Sequence, residues 1–294
     1  MSLLDSLSAR IEVTLGKKVH LTHAEPSGGG CINQTAVLTG PANSRYFVKL
    51  NDASRIDMFE AEFEGLRALN DADAVRVPRP LCTGIADKQA FLVLEHLELG
   101  SENADSLRRL GEGLSDLHRC TQDGFGWHRD NTIGSTPQHN EGCKDWGEFY
   151  RERRLRPQLD LAFARAGQRF GTLGEQLLER VADFFTDYRP APSLLHGDLW
   201  SGNAGALRDG EPVIYDPAVY FGDREADIAM TELFGGFGEE FYRAYQAAWP
   251  LDPGYAVRKH LYNLYHILNH FNLFGGGYAT QAQHIMQRLL SDVR

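Results

Sequence analysis

The sequence predicts an α+β fold in two lobes. A small lobe over residues 1–96 carries a five-stranded antiparallel sheet plus a helix, and a larger, mainly helical lobe covers 97–294. Three observations predict it. Up to Leu94 the chain shows short alternating segments bounded by turn residues, the pattern of half-buried strands. From Asn103 onward apolar residues recur mostly at helical spacing. Within that helical part, two short apolar runs end in acids: Leu194-Leu195 in His196-Gly197-Asp198, and Ile214-Tyr215 in Asp216-Pro217.

Taken in order, Leu3, Leu4, Leu7, Ile11 and Leu15 recur at helical spacing and stop at Gly16, so an amphipathic helix opens the chain. Strands are predicted at Val19–Ala24, Thr35–Leu38 and Tyr46–Leu50, the last two joined by the turn Gly40-Pro41-Ala42-Asn43. Arg55 to Leu69 reads as a helix with Phe59, Phe63, Leu66 and Leu69 inward, and Leu81–Ile85 and Phe91–Leu94 complete the sheet. Glu95-His96-Leu97-Glu98-Leu99-Gly100 then leaves the last strand as the expected hinge between the lobes. The stripe Leu107, Leu110, Leu114 and Leu117 is core. Phe125 to Gln138 is polar, aromatic and without helical period, and an ordered loop of that length usually serves function. Helices are predicted from Asp145 to about Arg156 and from about Gly174 to Tyr188. After Asp216 a helix opens near Asp223, a suitable N-cap, and places Asp227 one turn inward, to hold backbone groups of the Asp198 turn. The closing helices carry Tyr262, Tyr265, His266, Asn269, His270, Asn272 and Phe274. These read either as a pocket wall, with His270 binding substrate, or as an internal hydrogen-bonded histidine cluster.

The composition is that of a water-soluble globular chain: 294 residues, 42% hydrophobic and 24% charged. The net charge of −10, with no concentration of Lys and Arg, argues against a nucleic-acid partner. No apolar run reaches the roughly 18 residues that span a bilayer, and the first residues do not form a secretory signal. Cys31, Cys82, Cys120 and Cys143 are irregularly spaced, which disfavours a zinc site or a disulfide framework and makes a reducing cytoplasm the expected compartment.

The chemistry sits in the two acid-bearing turns. Phosphoryl transfer uses one aspartate to take the proton of the accepting hydroxyl, and an asparagine with a second aspartate as oxygen ligands for magnesium. Asp198 and Asn203 are five apart, the spacing of a protein-kinase catalytic loop, and Asp216 supplies the second acid. Upstream, Gly28, Gly29 and Gly30 let backbone N–H groups approach a polyphosphate. Lys49 stands in an apolar strand, where a lysine needs a partner or a ligand. Glu60, Glu62 and Glu64 are candidate partners on the next helix. Glu62 is chosen because Leu66 and Leu69 at i+4 and i+7 put it beside the inward face. The backbone of Glu95 and Leu97 is expected to face adenine.

This order of glycine loop, lysine, helix glutamate, His-Gly-Asp and Asp-Pro resembles the aminoglycoside-phosphotransferase branch of the protein-kinase-like fold. Four stretches resemble the fructosamine kinase (ketosamine-3-kinase) family: Gly28–Asn33, Phe125–Gln138, His196–Asn203 and Asn269–Gly275. Leu199-Trp200-Ser201-Gly202-Asn203 is the most specific of them, and the likeness runs essentially the whole chain. It implies phosphorylation by ATP, with Mg2+, of the 3-hydroxyl of a ketosamine sugar (fructosamine, ribulosamine or erythrulosamine) on an amine or a protein, which is a deglycation repair. Asp198 would be the base, Asn203 and Asp216 the metal ligands, and Trp200 a platform for the sugar. The resemblance also implies that Cys31 can form a disulfide with its counterpart in a second subunit, leaving a monomer or a redox-dependent homodimer as alternatives. The runner-up functions are another small-molecule kinase of this fold, of aminoglycoside, choline or homoserine type, and a non-catalytic nucleotide-binding module.

Overall fold

The computed structural model describes residues 2–28 and 32–293. Helix α1 (Leu3–Leu15) starts on a capping box, with Ser2 and Asp5 satisfying each other's backbone N–H groups, and stops at Gly16 in the left-handed conformation. Five strands follow: β1 (His23–Pro26), β2 (Gln34–Thr39), β3 (Arg45–Asp52), β4 (Pro80–Ala86) and β5 (Gln89–Glu95). Helix α2 (Ile56–Ala72) lies between β3 and β4 in sequence. The sheet is antiparallel throughout, in the order β1-β2-β3-β5-β4, so β3 is central. Alternation then divides β5 between two cores. Phe91 and Val93 pack with Leu7 and Ile11 of α1, while Ala90, Leu92 and Leu94 join Phe59, Leu66 and Leu69 of α2 in the main core.

The predicted strand at Val19–Ala24 is corrected: β1 begins at His23. Val19 and Leu21 are buried as their alternation implies, but their N–H groups go to side chains of α1. Val19 donates to Glu12 at 2.8 Å and Leu21 to Ser8 at 3.0 Å, which removes them from the ladder.

Beyond residue 96 come α3 (Ala104–His118), the hairpin β6 (Asn131–Ile133) and β7 (Thr136–Gln138), and α4 (Trp146–Phe149). A π-helical stretch over Tyr150–Leu155 runs from α4 into α5 (Arg156–Ala166), followed by α6 (Gln168–Arg180). The helix predicted to end near Arg156 therefore continues ten residues further. Pro157 is the second residue of α5, where a missing N–H costs little, and the π turn ahead of it absorbs the change. Gly174, read as a helix start, lies inside α6 against Leu159. Strands β8 (Ser193–Leu195), β9 (Ala204–Ala206), β10 (Pro212–Ile214) and β11 (Tyr220–Gly222) form two short ribbons, β8 with β11 and β9 with β10. Helices α7 (Glu225–Leu233), α8 (Glu239–Ala248), α9 (Tyr255–Phe274) and α10 (Tyr278–Asp292) close the chain. Asp223 is not the N-cap residue of α7, which is Arg224. Its Oδ1 nonetheless accepts the N–H of Glu225 at 3.0 Å. No helix among the described residues is long and apolar enough to cross a membrane.

Candidate active site

The two ribbons bring the acid-bearing turns together. Ile214 pairs with Ala204 across β9 and β10, and the N–H of Tyr215 reaches the Asn203 carbonyl at 3.0 Å, so Asn203 and Asp216 leave the ribbon side by side. The Asp198 turn is fixed to the Asp216 turn at several points. Ala218 N–H donates to the His196 carbonyl at 2.8 Å. His196 Nδ1 accepts the Asp198 N–H at 3.2 Å, so Nε2 carries the ring hydrogen, and it donates to the Tyr215 carbonyl at 3.0 Å. Burial lowers the pKa of this histidine, in keeping with a neutral ring that both donates and accepts. Gly197 has φ +83°, and a Cβ there would lie 2.1 Å from the Ala218 carbonyl oxygen, so a side chain is excluded on both counts.

Asp227 anchors the same turn from α7. Its two oxygens accept the N–H groups of His196 (2.7 Å) and Gly197 (2.8 Å), and His118 Nε2 lies 3.2 Å away. Burial acts to raise this carboxyl, but the bonds to it prevail and hold it below the ordinary aspartate value.

Asp198 is half-buried at the edge of the cleft, and burial, with repulsion from Asp216 next, pushes its pKa up to about 7 against the bond from Asn203. Asn203 Nδ2 donates to the Asp198 carbonyl at 2.8 Å and to its Oδ2 at 3.3 Å, which leaves the amide oxygen as the atom to ligate a cation. Asp216 holds φ +58°, a left-handed conformation that aspartate tolerates and that marks functional turns.

Lys49, 4% exposed on the central strand, spans the cleft: Nζ donates to Glu62 Oε1 at 2.5 Å and to Asp216 Oδ1 at 2.6 Å. Burial works against its charge, but the attraction of Asp216 and then Glu62 carries its pKa above the ordinary lysine value, so the ammonium is kept. Burial pushes the Glu62 carboxyl up against the pull of Lys49. The second partner, Asp216, was not foreseen; it lies 167 residues away in sequence.

These groups open into a cavity of about 590 Å³ whose lining includes Lys49, Asp198, Trp200, Asp216, His270 and Phe274. Trp200 is 37% exposed and meets Phe234 edge-to-face at 6.2 Å, so it is a wall of the cavity rather than interior packing. The His270 ring lies between those of Phe234 and Tyr278, tilted against both (centroids 4.7 and 5.2 Å), and its Nδ1 donates to the His266 carbonyl at 2.8 Å, which leaves Nε2 as an acceptor. The polar and aromatic residues of α9 thus divide: Asn269, His270 and Phe274 line the cavity, while Tyr262 and Tyr265 bond internally to Asp223 and Gln138.

Of the remaining predicted residues, Gly29, Gly30 and Cys31 lie outside the described residues, and Gly28 is exposed two residues beyond β1. Glu95 and Leu97 do not line the cavity. The Glu95 carboxylate pairs with Arg76 at 2.7 Å and its N–H bonds the Arg79 carbonyl at 2.9 Å. Sequence reasoning missed the polar network behind the site, in which Asn131 and Gln138 bond the Val219 and Ala218 carbonyls (2.8 and 3.2 Å). The polar character of Phe125–Gln138 was its only trace.

Among the described residues no three His, Cys, Asp or Glu side chains cluster to hold a metal by themselves. Asn203 and Asp216 together fit magnesium, which takes one or two protein oxygens and completes its shell with phosphates and water.

Sheet, cleft lysine and paired acidic turns define a phosphotransferase of the kinase-like fold. The chain matches the family model described as fructosamine kinase over residues 3–292 and belongs to that family. It is 48% identical to "Probable ketoamine kinase" of Synechocystis sp. across 97% of this chain and 96% of the relative. It is 42% identical to the chloroplastic protein-ribulosamine 3-kinase of Oryza sativa subsp. indica, across 95% and 82% of the two chains. Its structure superposes on the crystal structure of the "Putative fructosamine-3-kinase" from Haemophilus somnus with a TM-score of 0.91 and 28% identity, covering 98% and 100% of the chains.

Proposed function

We propose that this chain is an ATP-dependent ketosamine 3-kinase, transferring the γ-phosphoryl group to the 3-hydroxyl of a sugar joined to an amine or a protein. The observation that carries the reading is one cavity with Asp198 and Asp216 on its floor and Trp200 and His270 on its wall. Family membership narrows the acceptor to ketosamines. Asp198 aligns the hydroxyl and takes its proton as the sugar oxygen–phosphorus bond forms and ADP departs. Lys49, aimed by Glu62, holds the donor's phosphates, and Gly28, Gly29 and Gly30 offer them backbone N–H groups. Asn203 and Asp216 would hold magnesium, which when bound would supply positive charge against the negative charge of the phosphates. Trp200 offers an apolar face to the sugar, and His270 Nε2 accepts from a sugar hydroxyl. The backbone of Glu95 and Leu97 borders the adenine, and the lobes 1–96 and 97–294 meet at this cleft. In a reducing cytoplasm Cys31 stays a thiol; oxidation joins it to the Cys31 of a second copy, the two thiols giving up two electrons and two protons to an oxidant such as peroxide.

The test is incubation with ATP, magnesium and a panel of fructosamines, ribulosamines and erythrulosamines, with the phosphate located by NMR. Phosphate on the 3-oxygen is the expected result. Phosphorylation of an aminoglycoside, choline or homoserine in preference to every ketosamine would overturn the reading.

A further inference from the structure

Helix α2 touches the rest of the site at more than Glu62. Two residues along, Glu64 accepts from Arg129 Nη1 at its Oε1 (2.7 Å), and its Oε2 lies 2.7 Å from His128 Nε2. Arg129 also approaches Glu60 at 3.6 Å and the Asp57 carbonyl at 3.4 Å. At Gly65 a Cβ would lie 3.0 Å from Val219 Cγ2, so the helix backbone rests on the loop that follows Asp216. Arg129 belongs to the segment before β6, and that segment is itself fastened to the same loop. Gly126 exchanges backbone bonds with Phe221 (2.8 and 2.9 Å), Asn131 bonds Val219, and Gln138 bonds Ala218. Behind it, fully buried Arg154 lies 3.9 Å from the Tyr220 ring and bonds the His139 carbonyl and Asn140 Oδ1.

A closed ring of contacts results. It runs from α2 through Glu64 and Arg129 to the hairpin, on to Ala218 and Val219, back along the chain to Asp216, and through Lys49 and Glu62 to α2 again. Building on the kinase reading above, we propose that Glu64 and Arg129 are positioning residues for phosphoryl transfer. Their ion pair holds α2 against the large lobe, so that Glu62 keeps Lys49 in line with the Asp216 turn. Both side chains remain partly exposed (24% for Arg129, 37% for Glu64), and a pair of that kind adds little to global stability. Its effect falls on geometry, where small displacements of a catalytic group are costly.

The experiment compares Arg129→Glu, Glu64→Arg and the double reversal. Each single change should lower kcat by roughly tenfold or more, with the KM for ketosamine unchanged and faster amide hydrogen exchange across residues 56–72. The double reversal should return kcat to within about threefold of the parent and slow that exchange again. Single variants within about twofold of the parent kcat, or a double reversal no better than the worse single, would overturn the proposal. If a reversal does not fold, Arg129→Gln is measured against the same thresholds. If the parent enzyme phosphorylates no ketosamine, the functional reading fails separately. Exchange in α2, which needs no substrate, then decides the clamp: unchanged rates in both single variants overturn it.

Discussion

Asp198 and Asp216 are chemically identical groups in unlike surroundings. Asp198 is crowded by burial and by its neighbour, whereas Asp216 has an ammonium 2.6 Å away. Asp198→Asn preserves the size of the side chain and should lose a factor of roughly 10²–10⁴ in turnover, as removal of a general base does. Nucleotide binding, followed by titration, should be unchanged; near-normal turnover would move the base elsewhere. Trp200→Ala removes a wall already 37% exposed, so its melting temperature should barely move. The KM for ketosamine should rise roughly fivefold, the equivalent of about 1 kcal/mol of aromatic contact, while the KM for ATP stays constant. A rise confined to ATP would remove Trp200 from the sugar site. At this scale the sequence is informative wherever a group's partner is near in the chain. Asp198 and Asn203 are five apart and readable, as are Lys49 and Glu62 once the helix face is assigned. The Lys49–Asp216 and Glu64–Arg129 pairs cross between distant elements, and spacing carries no trace of them.

Among the elements, the turn between β8 and Asp198 depends on α7 for its backbone partners. Asp227→Ala leaves two buried N–H groups without acceptors, at about 1–3 kcal/mol each. With Asp227→Asn the sign of the pH dependence can be worked out. The folded carboxyl titrates below its ordinary value, so the stability it confers is complete above the unfolded pKa and lost as pH falls through the folded one. The stability gap between parent and Asn variant, from urea unfolding, should therefore be level from neutral pH to about 5 and narrow only below about 4. A gap that widens towards acid would contradict the assignment. The elements best read from sequence, β2 to β5 and α2, are those whose apolar period matches their backbone partners. Val19 and Leu21 alternate like a strand but hydrogen-bond to a helix, and Pro157 looks like a terminator but sits where a π turn makes it harmless. Periodicity reports which side chains are buried, and in both places the backbone went elsewhere.

For the whole molecule, α2 belongs to both halves: Phe59, Leu66 and Leu69 sit in the main core together with the helices beyond residue 96. The proposed association of two copies is tested separately, through thiol chemistry. Oxidant should produce a disulfide-linked dimer with lower activity, reductant should reverse both, and magnesium-ATP should slow the change. Non-reducing electrophoresis of parent and Cys31→Ala reads this directly. Cross-linking of the variant at the parent rate would transfer the role to Cys82, Cys120 or Cys143. Cys82 is the least suited of these, because burial pushes its thiol up to about 11. A different consequence follows from Gly197 pressed against the Ala218 carbonyl, with the His196 ring bonded to both turns. Asp198 and Asp216 therefore ride on one block, so the spacing between them is indifferent to how wide the cleft stands. A change that widened the cleft would part Lys49 from the Asp216 turn while leaving the two acids in register with each other.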